Sequence, residues 1–186
     1  MNVMFLGDSL TQDWDKTLWK QRFEALGAVN LGVSGTGTPQ VLSRIRRGLL
    51  DGCAPRLVVL MIGINNVWPG YSAADTARGI EAIVAAIRQK QPHAKVLLLG
   101  VLPIFDKDDK VRGWIKAVNA RIAALADDLP ASAGKSVRFL DLGDKFTESD
   151  GALRAGFYSV DQVHLQPPAY KLLADTIEPL IKEMLK

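Results

Sequence analysis

Two segments near opposite ends of the chain carry the residue types needed for nucleophilic catalysis. Near the amino terminus, Ser9 follows Gly7 and Asp8, directly after a short apolar run. Near the carboxyl terminus, Asp161 precedes His164 by three residues, and a carboxylate at that spacing can orient an imidazole ring. Such a histidine can act as a general base that takes the proton of a serine hydroxyl. Each segment also has a purely structural interpretation, because serine and aspartate often cap helix N-termini.

Two further segments could donate hydrogen bonds to a developing negative charge. Gly32, Gly35 and Gly37 fall within six positions, so the backbone there can approach a ligand closely or adopt positive φ angles. Asn65 and Asn66 follow another apolar run, and side-chain amides are neutral donors suited to an oxyanion. Taken alone, a tight glycine turn and an asparagine-rich turn explain these segments equally well.

The elements that must position these residues are alternating strands and helices. Short apolar runs bounded by turn residues predict five strands, over Val3–Leu6, Val29–Leu31, Leu57–Ile62, Val96–Val101 and Val137–Leu140. The clearest helical pattern covers Ser72–Gln89, with Ser72 as its cap and Gln91-Pro92 as its end. We therefore predict one α/β domain over residues 1–186, a three-layer α/β/α sandwich with a five-stranded parallel sheet.

In such a sheet, ligands bind beyond the carboxyl ends of the strands. The serine, glycine and asparagine segments each follow a predicted strand, and the Asp161–His164 segment precedes the last helix. The topology thus predicts one site that holds a nucleophile, backbone donors, an amide donor and an Asp–His pair. Acyl transfer requires each of these roles.

The same segments resemble, in order, the four sequence blocks of the GDSL, or SGNH, hydrolase family. The matching residues are Gly7-Asp8-Ser9-Leu10, Gly35, Gly63-Ile64-Asn65 and Asp161-x-x-His164, which together span residues 5–166. Within the family, the chain most resembles the branch of intracellular platelet-activating-factor acetylhydrolase catalytic subunits and their bacterial relatives. One departure is Asn66, which stands where most members of the family have aspartate.

The resemblance implies a flavodoxin-like SGNH hydrolase fold and a serine esterase that works through an acyl-enzyme. Its triad would be Ser9, His164 and Asp161. Its oxyanion hole would combine the backbone N–H groups of Ser9 and Gly35 with the Asn65 side chain. No metal or organic cofactor is implied, and a homodimer would be consistent with the resemblance.

The expected substrate is a small acyl ester. Most connecting loops are shorter than about a dozen residues and none is expected to form a large lid, so we expect a shallow site that favours short acyl groups, acetyl above all. The residues expected to contact the substrate are Asp8, Leu10, Asn66, Trp68, Phe105 and Tyr158. Trp14 and Phe157 also fall on loops near the predicted site. Aromatic walls bind acyl chains and sugar rings alike, so the alcohol half of the ester stays open.

Composition and charge exclude several other partners. The 23 basic and 20 acidic residues give a net charge of +3 without a long like-charge block, so we expect no nucleic-acid partner. The longest apolar stretches, Leu57–Ile64 and Val96–Phe105, are shorter than the ~20 residues that cross a bilayer, which excludes membrane insertion. Residues 2–7 already have the pattern of a core strand, with no signal peptide before them. The chain as it stands is therefore expected to be cytoplasmic, unless it is the mature or excised domain of a secreted protein.

Other proteins with alternating strands and helices fit the sequence less well. A flavin-binding module needs a Ser/Thr/Gly-rich phosphate cradle after its first strand, and a receiver domain needs an aspartate at the end of its third. Gly134-Lys135-Ser136 resembles a P-loop, but it precedes a strand, and Leu129 stands where the first glycine belongs. Two hypotheses remain beside a short-chain esterase. They are an esterase of acetylated carbohydrates and a non-catalytic scaffold that keeps the fold.

Overall fold

A computed structural model describes residues 1–126 and 136–186, so Leu129, Gly134 and Lys135 of the P-loop comparison lie outside the described residues. The strands are β1 (Val3–Gly7), β2 (Ala28–Asn30), β3 (Leu57–Met61), β4 (Lys95–Leu99) and β5 (Val137–Leu140). The α-helices are α1 (Ser9–Gln12), α2 (Lys16–Arg22), α3 (Thr38–Arg44), α4 (Ala73–Lys90), α5 (Asp109–Ala123) and α6 (Pro167–Met184). Helix α3 continues as a π-helical segment over Ile45–Leu49.

All five strands run parallel, in the spatial order β2-β1-β3-β4-β5. The chain moves one way across the sheet from β1 to β2 and the other way from β2 to β5. Right-handed crossovers therefore place α2 on one face and α3, α4 and α5 on the other. Helices α3, α4 and α5 pack side by side in sequence, while α6 packs against α2. The predicted three-layer α/β/α sandwich with its flavodoxin-like strand order is confirmed.

The hydrophobic core is centred on the sheet, because both faces of the inner strands are covered. Every residue of β1 and β3 is buried. This explains why their sequences are continuous apolar runs without the alternation of a half-exposed strand. Helix α4 adds Ile80, Ile83 and Ile87 to this core. It begins where the sequence predicts, since Ser72 Oγ accepts a hydrogen bond from Asp75 N at 3.0 Å.

Strand β4 ends two residues before the predicted boundary, and a side chain causes this. Asn119 of α5 takes both backbone groups of Val101, accepting from its N–H at 2.8 Å and donating to its carbonyl at 3.0 Å. An amide side chain thus replaces a neighbouring strand as the hydrogen-bond partner of Val101. The chain is free to turn away from the sheet there, toward the loop that carries Phe105.

The connection between β1 and β2 packs through an aromatic cluster. Trp14 contacts Phe5, Trp19, Phe23 and Tyr170, with ring centroids between 5.0 and 6.4 Å from its own. Edge-on and tilted contacts of this kind stabilise a core beyond the area they bury. Trp14 therefore belongs to the packing of the β1–β2 connection and not to a substrate wall.

Among the helices of the described ranges, none combines the length and apolar character that a membrane-crossing segment needs.

Candidate active site

The turn that presents Ser9 depends on the two residues before it. Asp8 is the N-cap of α1, and its Oδ1 accepts a hydrogen bond from Leu10 N at 3.0 Å. The capping role proposed as an alternative for Ser9 therefore falls to its neighbour. The Ser9 hydroxyl is left for another partner, His164.

Glycine is required at position 7 because two chain segments converge there. A Cβ added to Gly7 would lie 2.1 Å from Thr11 Oγ1 and 2.4 Å from the carbonyl oxygen of Met61. The first contact comes from α1 and the second from β3. The absence of a side chain thus lets the turn that carries Ser9 lie directly against the neighbouring strand.

Ser9, His164 and Asp161 form a continuous line of hydrogen bonds. Ser9 Oγ lies 3.0 Å from His164 Nε2, and His164 Nδ1 lies 2.5 Å from Asp161 Oδ2. The serine and the histidine are 155 positions apart in the sequence. Both distances are within the range at which a base accepts a proton from a hydroxyl and a carboxylate holds the base in place.

Asp161 is held by more donors than the histidine alone. Its Oδ1 accepts from Val163 N at 2.9 Å, from His164 N at 3.0 Å and from Ser159 Oγ at 2.5 Å. Partial burial of Asp161 raises its pKa, but the hydrogen bonds from His164, Ser159 and the two backbone N–H groups outweigh that effect. The pKa of Asp161 therefore lies well below its usual value, so the carboxylate stays ionised beside His164. Asp161 does not cap α6, because the N-cap of that helix is Gln166.

The Asp161–His164 loop reaches Ser9 by crossing the sheet edge. Strand β5 is three positions from β1, a separation of about 14 Å at normal strand spacing. Residues 141–166 cross this distance, and antiparallel bridges at Thr147–Leu153 and Tyr158–Leu165 stiffen the segment. Tyr158 anchors it midway, since its hydroxyl donates to the Pro103 carbonyl at 2.6 Å.

Of the residues expected to form an oxyanion hole, Ser9 follows β1, whereas Gly35 and Asn65 follow the two strands that neighbour β1. Asn65 Nδ2 donates to the carbonyl of Thr36 at 3.0 Å, which uses one of its two hydrogens and ties it to the loop that carries Gly35. Gly35 has a φ of +73°, a conformation that favours glycine. Within the described part of the chain, the backbone N–H groups of Ser9 and Gly35 donate to no protein acceptor. Three donors are thus available at the carboxyl ends of adjacent strands.

The chain matches one protein family over most of its length. Residues 5–172 match the family described as GDSL-like lipase/acylhydrolase. The chain belongs to this family.

Curated relatives and a solved structure agree with that assignment. The alpha2 subunit of platelet-activating factor acetylhydrolase IB from Gallus gallus is 34% identical over 187 residues, covering 100% of this chain and 78% of the relative. The human alpha1 subunit is 33% identical over 184 residues, covering 98% and 76%. A GDSL-like lipase of Bacteroides thetaiotaomicron superposes with a TM-score of 0.81 at 25% identity, covering 98% of this chain and 88% of that one. The resemblance stated from the sequence is confirmed, and the chain is a carboxylic ester hydrolase.

In this GDSL hydrolase, three of the residues expected to contact substrate have buried side chains. Asp8 is 1% exposed, Leu10 2% and Asn66 1%. Leu10 packs in the hydrophobic core, and its carbonyl accepts a hydrogen bond from the Tyr170 hydroxyl at 3.1 Å. The structure does not bring the side chains of Asp8 and Leu10 to the surface of the site, because the short helix α1 directs them inward, whereas Asn66 lines the groove beside Asn65 with only 1% of its surface exposed.

Asn66 links two loops of the GDSL site. Its Oδ1 accepts from Thr38 N at 3.0 Å and its Nδ2 donates to Thr38 Oγ1 at 2.8 Å. The amide thereby satisfies the first N–H of α3 and holds the start of that helix against the loop after β3. Aspartate, the usual residue of the family here, could accept from the same two groups, so the departure at Asn66 leaves this link intact.

The buried carboxyl group of Asp8 has a pKa that is unusual for an aspartate. Burial raises its pKa to about 7, and the hydrogen bond from Leu10 N and the nearby His164 only partly oppose this. The group lies next to Ser9 in sequence. Its ionisation is therefore coupled to the stability of the turn that presents Ser9.

Aromatic residues form one wall beside the donors. A groove of about 470 Å³ is lined by Gly35, Gly37, Pro39, Gln40, Asn65, Asn66, Trp68, Pro69 and Tyr71. Trp68 is 55% exposed, and the half-buried Phe105 packs against it with ring centroids 6.3 Å apart. Tyr158 is also half-buried, whereas Phe157 is buried against Phe146. Trp68 and Phe105 thus lie at the site, and Phe157 supports the core below it.

Three residues that support the site through hydrogen bonds were not predicted from the sequence. Gln12 Oε1 accepts from Ser34 N at 2.8 Å, which joins α1 to the loop that carries Gly35. Ser159 and Gln162 hold the Asp161–His164 loop through hydrogen bonds. Polar residues flanking each block could have drawn attention to them, but such residues are common on loops. Within residues 1–126 and 136–186, no three His, Cys, Asp or Glu side chains are grouped so that they could hold a metal ion.

Proposed function

We propose that this chain is a serine esterase that hydrolyses short-chain carboxylic esters, acetyl esters above all, through an acyl-enzyme. The single observation that carries the proposal is the line from Ser9 Oγ to His164 Nε2 at 3.0 Å and from His164 Nδ1 to Asp161 Oδ2 at 2.5 Å. It supplies a nucleophile, a general base and a group that orients the base.

In the first half of the proposed reaction, His164 takes the Ser9 proton while Ser9 Oγ attacks the ester carbonyl carbon. The negative charge that develops on the carbonyl oxygen is stabilised by hydrogen bonds that the N–H groups of Ser9 and Gly35 and Asn65 Nδ2 donate to it. His164 then returns its proton to the leaving alcohol, which departs and leaves an acyl group on Ser9. A water molecule repeats these steps, with His164 again as the base, and releases the acid.

A preference for short acyl groups is supported by the chemistry of the groove. Its lining combines the aromatic side chains of Trp68 and Tyr71 with the backbone of Gly35 and Gly37 and with the polar residues Gln40 and Asn65. A long acyl chain would leave much of its surface against polar groups or solvent there. The relatives named acetylhydrolase support the same size of acyl group.

An esterase of acetylated carbohydrates is the second candidate, and Trp68 favours it. An exposed indole beside amide donors can stack against a sugar ring while the amides bind its hydroxyls. This candidate differs only in the alcohol half of the ester. Comparing kcat/KM for an acetylated monosaccharide with that for nitrophenyl acetate, in wild type and Trp68→Ala, separates the two. A larger loss on the sugar ester would favour the carbohydrate.

The first experiment is hydrolysis of nitrophenyl acetate, butyrate and octanoate by the wild type and by Ser9→Ala. We expect the highest kcat/KM on acetate and a loss of several orders of magnitude in the variant, because no other group replaces the nucleophile. Octanoate turnover faster than acetate turnover would contradict the short-chain preference. Full activity in Ser9→Ala would contradict the assignment of the nucleophile.

A further inference from the structure

Backbone strain in this protein is concentrated beside the Asp161–His164 loop. Among the residues that the structure describes, three other than glycine have φ in the left-handed region: Phe105 at 53°, Lys107 at 56° and Gln162 at 58°. Such a conformation is unfavourable for a residue with a side chain, because the Cβ atom comes close to the carbonyl oxygen that follows it. It persists only where surrounding contacts hold it.

Gln162 makes two of the contacts that hold the loop after β4. Its backbone carbonyl accepts from Phe105 N at 3.2 Å, and its side-chain Oε1 accepts from Asp106 N at 2.9 Å. Two consecutive N–H groups of the loop after β4 are thus bound by the two oxygens of a single residue. Gln162 stands between Asp161 and Val163, inside the loop that orients His164.

The same residue closes the turn that shapes the Asp161–His164 loop. Gln162 N donates to the Ser159 carbonyl at 2.9 Å, and Ser159 N donates to the His164 carbonyl at 2.8 Å. Within this turn, the conformation at Gln162 sets the direction from which Asp161 faces the imidazole. A rotation there would move the carboxylate away from Nδ1.

A third loop completes the arrangement. Asp106 Oδ1 accepts from Leu153 N at 2.9 Å, and Lys107 Nζ lies 2.8 Å from Asp150 Oδ2. The loop after β4 is therefore fixed both to the segment around Leu153 and to the Asp161–His164 loop. This leaves it suited to act as a rigid support for Gln162.

We propose that Gln162 is a positioning residue. It holds the Asp161–His164 pair toward Ser9 by binding the backbone N–H groups of Phe105 and Asp106 in the loop after β4. The proposal rests on the proposed function, because it concerns the geometry of that triad. It predicts that loss of the side-chain acceptor lowers turnover without weakening substrate binding in proportion.

The test is Gln162→Met, which keeps the length of the side chain and removes its acceptor. We expect kcat on nitrophenyl acetate to fall about tenfold to a hundredfold, as small misplacements of catalytic groups do, with KM within about twofold of wild type. Gln162→Glu keeps an acceptor for Asp106 N, so we expect it to recover most of the lost kcat. Gln89→Met makes the same chemical change on the exposed face of α4 and serves as the matched control.

Two results would overturn the proposal: unchanged kcat in Gln162→Met, or an equal loss in the Met and Glu variants. If Gln162→Met does not fold, Gln162→Asn carries the same prediction, because asparagine tolerates positive φ but is one methylene too short to reach Asp106 N. Failure of the proposed function would look different. In that case the wild type would not hydrolyse the esters, or Ser9→Ala would remain active.

Discussion

Ser9 is free for chemistry because an adjacent carboxyl performs the capping that serine could have performed. Asp8 accepts the hydrogen bond from Leu10 N, and Ser9 Oγ lies 3.0 Å from His164 Nε2. At the other end of the site, four hydrogen-bond donors surround the carboxylate of Asp161. Two aspartates thus have opposite tasks and opposite pKa shifts. Burial raises the pKa of Asp8, whereas hydrogen bonds lower that of Asp161 despite its partial burial.

The raised pKa of Asp8 predicts a specific dependence of stability on pH. Between its unfolded value near 3.8 and its folded value of about 7, the unfolded chain has lost a proton that the folded chain keeps. The contribution of Asp8 to the free energy of unfolding therefore falls as pH rises through this window, by at most about 1.4 kcal/mol per pH unit. Asp8→Asn removes the titration and keeps an acceptor for Leu10 N.

Urea denaturation of wild type and Asp8→Asn at about pH 4.5 and about pH 7.5 checks this prediction. We expect the free energy of unfolding of the wild type, minus that of the variant, to be smaller at the higher pH. A difference that does not change with pH would show that Asp8 titrates normally in the folded chain.

At the scale of elements, the site depends on how closely α1 approaches β3. The Cβ of an alanine at position 7 would clash with Thr11 Oγ1 and with the Met61 carbonyl. The Met61 oxygen belongs to a central strand and cannot move without disturbing the sheet. The position of Ser9 therefore depends on the packing of α1 against β3, and no single loop determines it.

Gly7→Ala should accordingly lower both stability and activity. We expect the free energy of unfolding to drop by about 1–3 kcal/mol, as overpacked substitutions do, and kcat to fall because Ser9 is displaced. Gly113→Ala in α5 is the matched control, since an added Cβ there meets no heavy atom within 4 Å. In that helix the same change should raise the free energy of unfolding by about 0.5–1 kcal/mol. Equal effects at the two glycines, measured by urea denaturation, would contradict the steric argument.

At the scale of the whole molecule, strand order decides which loops meet. Strands β2 and β3 flank β1, so the loops after these three strands lie side by side and carry Gly35, Asn65 and Ser9. The Asp161–His164 loop starts from the far edge of the sheet and must cross it. This explains why the long segment before α6 needs its own bridges and the anchor at Tyr158.

The homodimer that the family resemblance suggests stays a prediction at this scale. Large apolar side chains are exposed on several loops, including Val33, Trp68, Tyr71 and Val160. Exposed apolar residues are typical of interaction surfaces where they form a patch. We expect light scattering to give a molar mass of about twice the 20.3 kDa of the chain. A mass of one chain at every concentration tested would contradict the homodimer.

The sequence alone was sufficient for the fold class, since apolar runs and helical periodicity report burial and element type directly. It was also sufficient to propose Ser9, Asp161 and His164, because the chemistry of a triad restricts residue types and the Asp–His spacing is local. Strand boundaries were less predictable where a side chain competed with the neighbouring strand for backbone hydrogen bonds. At Val101, for example, Asn119 lies 18 positions away in sequence.

Only the tertiary structure decided which neighbours of the motif are buried. Leu10 stands beside Ser9, yet its side chain is buried, because the direction of a short helix is set by the elements packed around it. The same holds for Gln12 and Gln162, whose partners are more than 20 positions away. Spacing along the chain can specify residues that act together locally. Contacts between distant loops exist only once the sheet has placed those loops side by side.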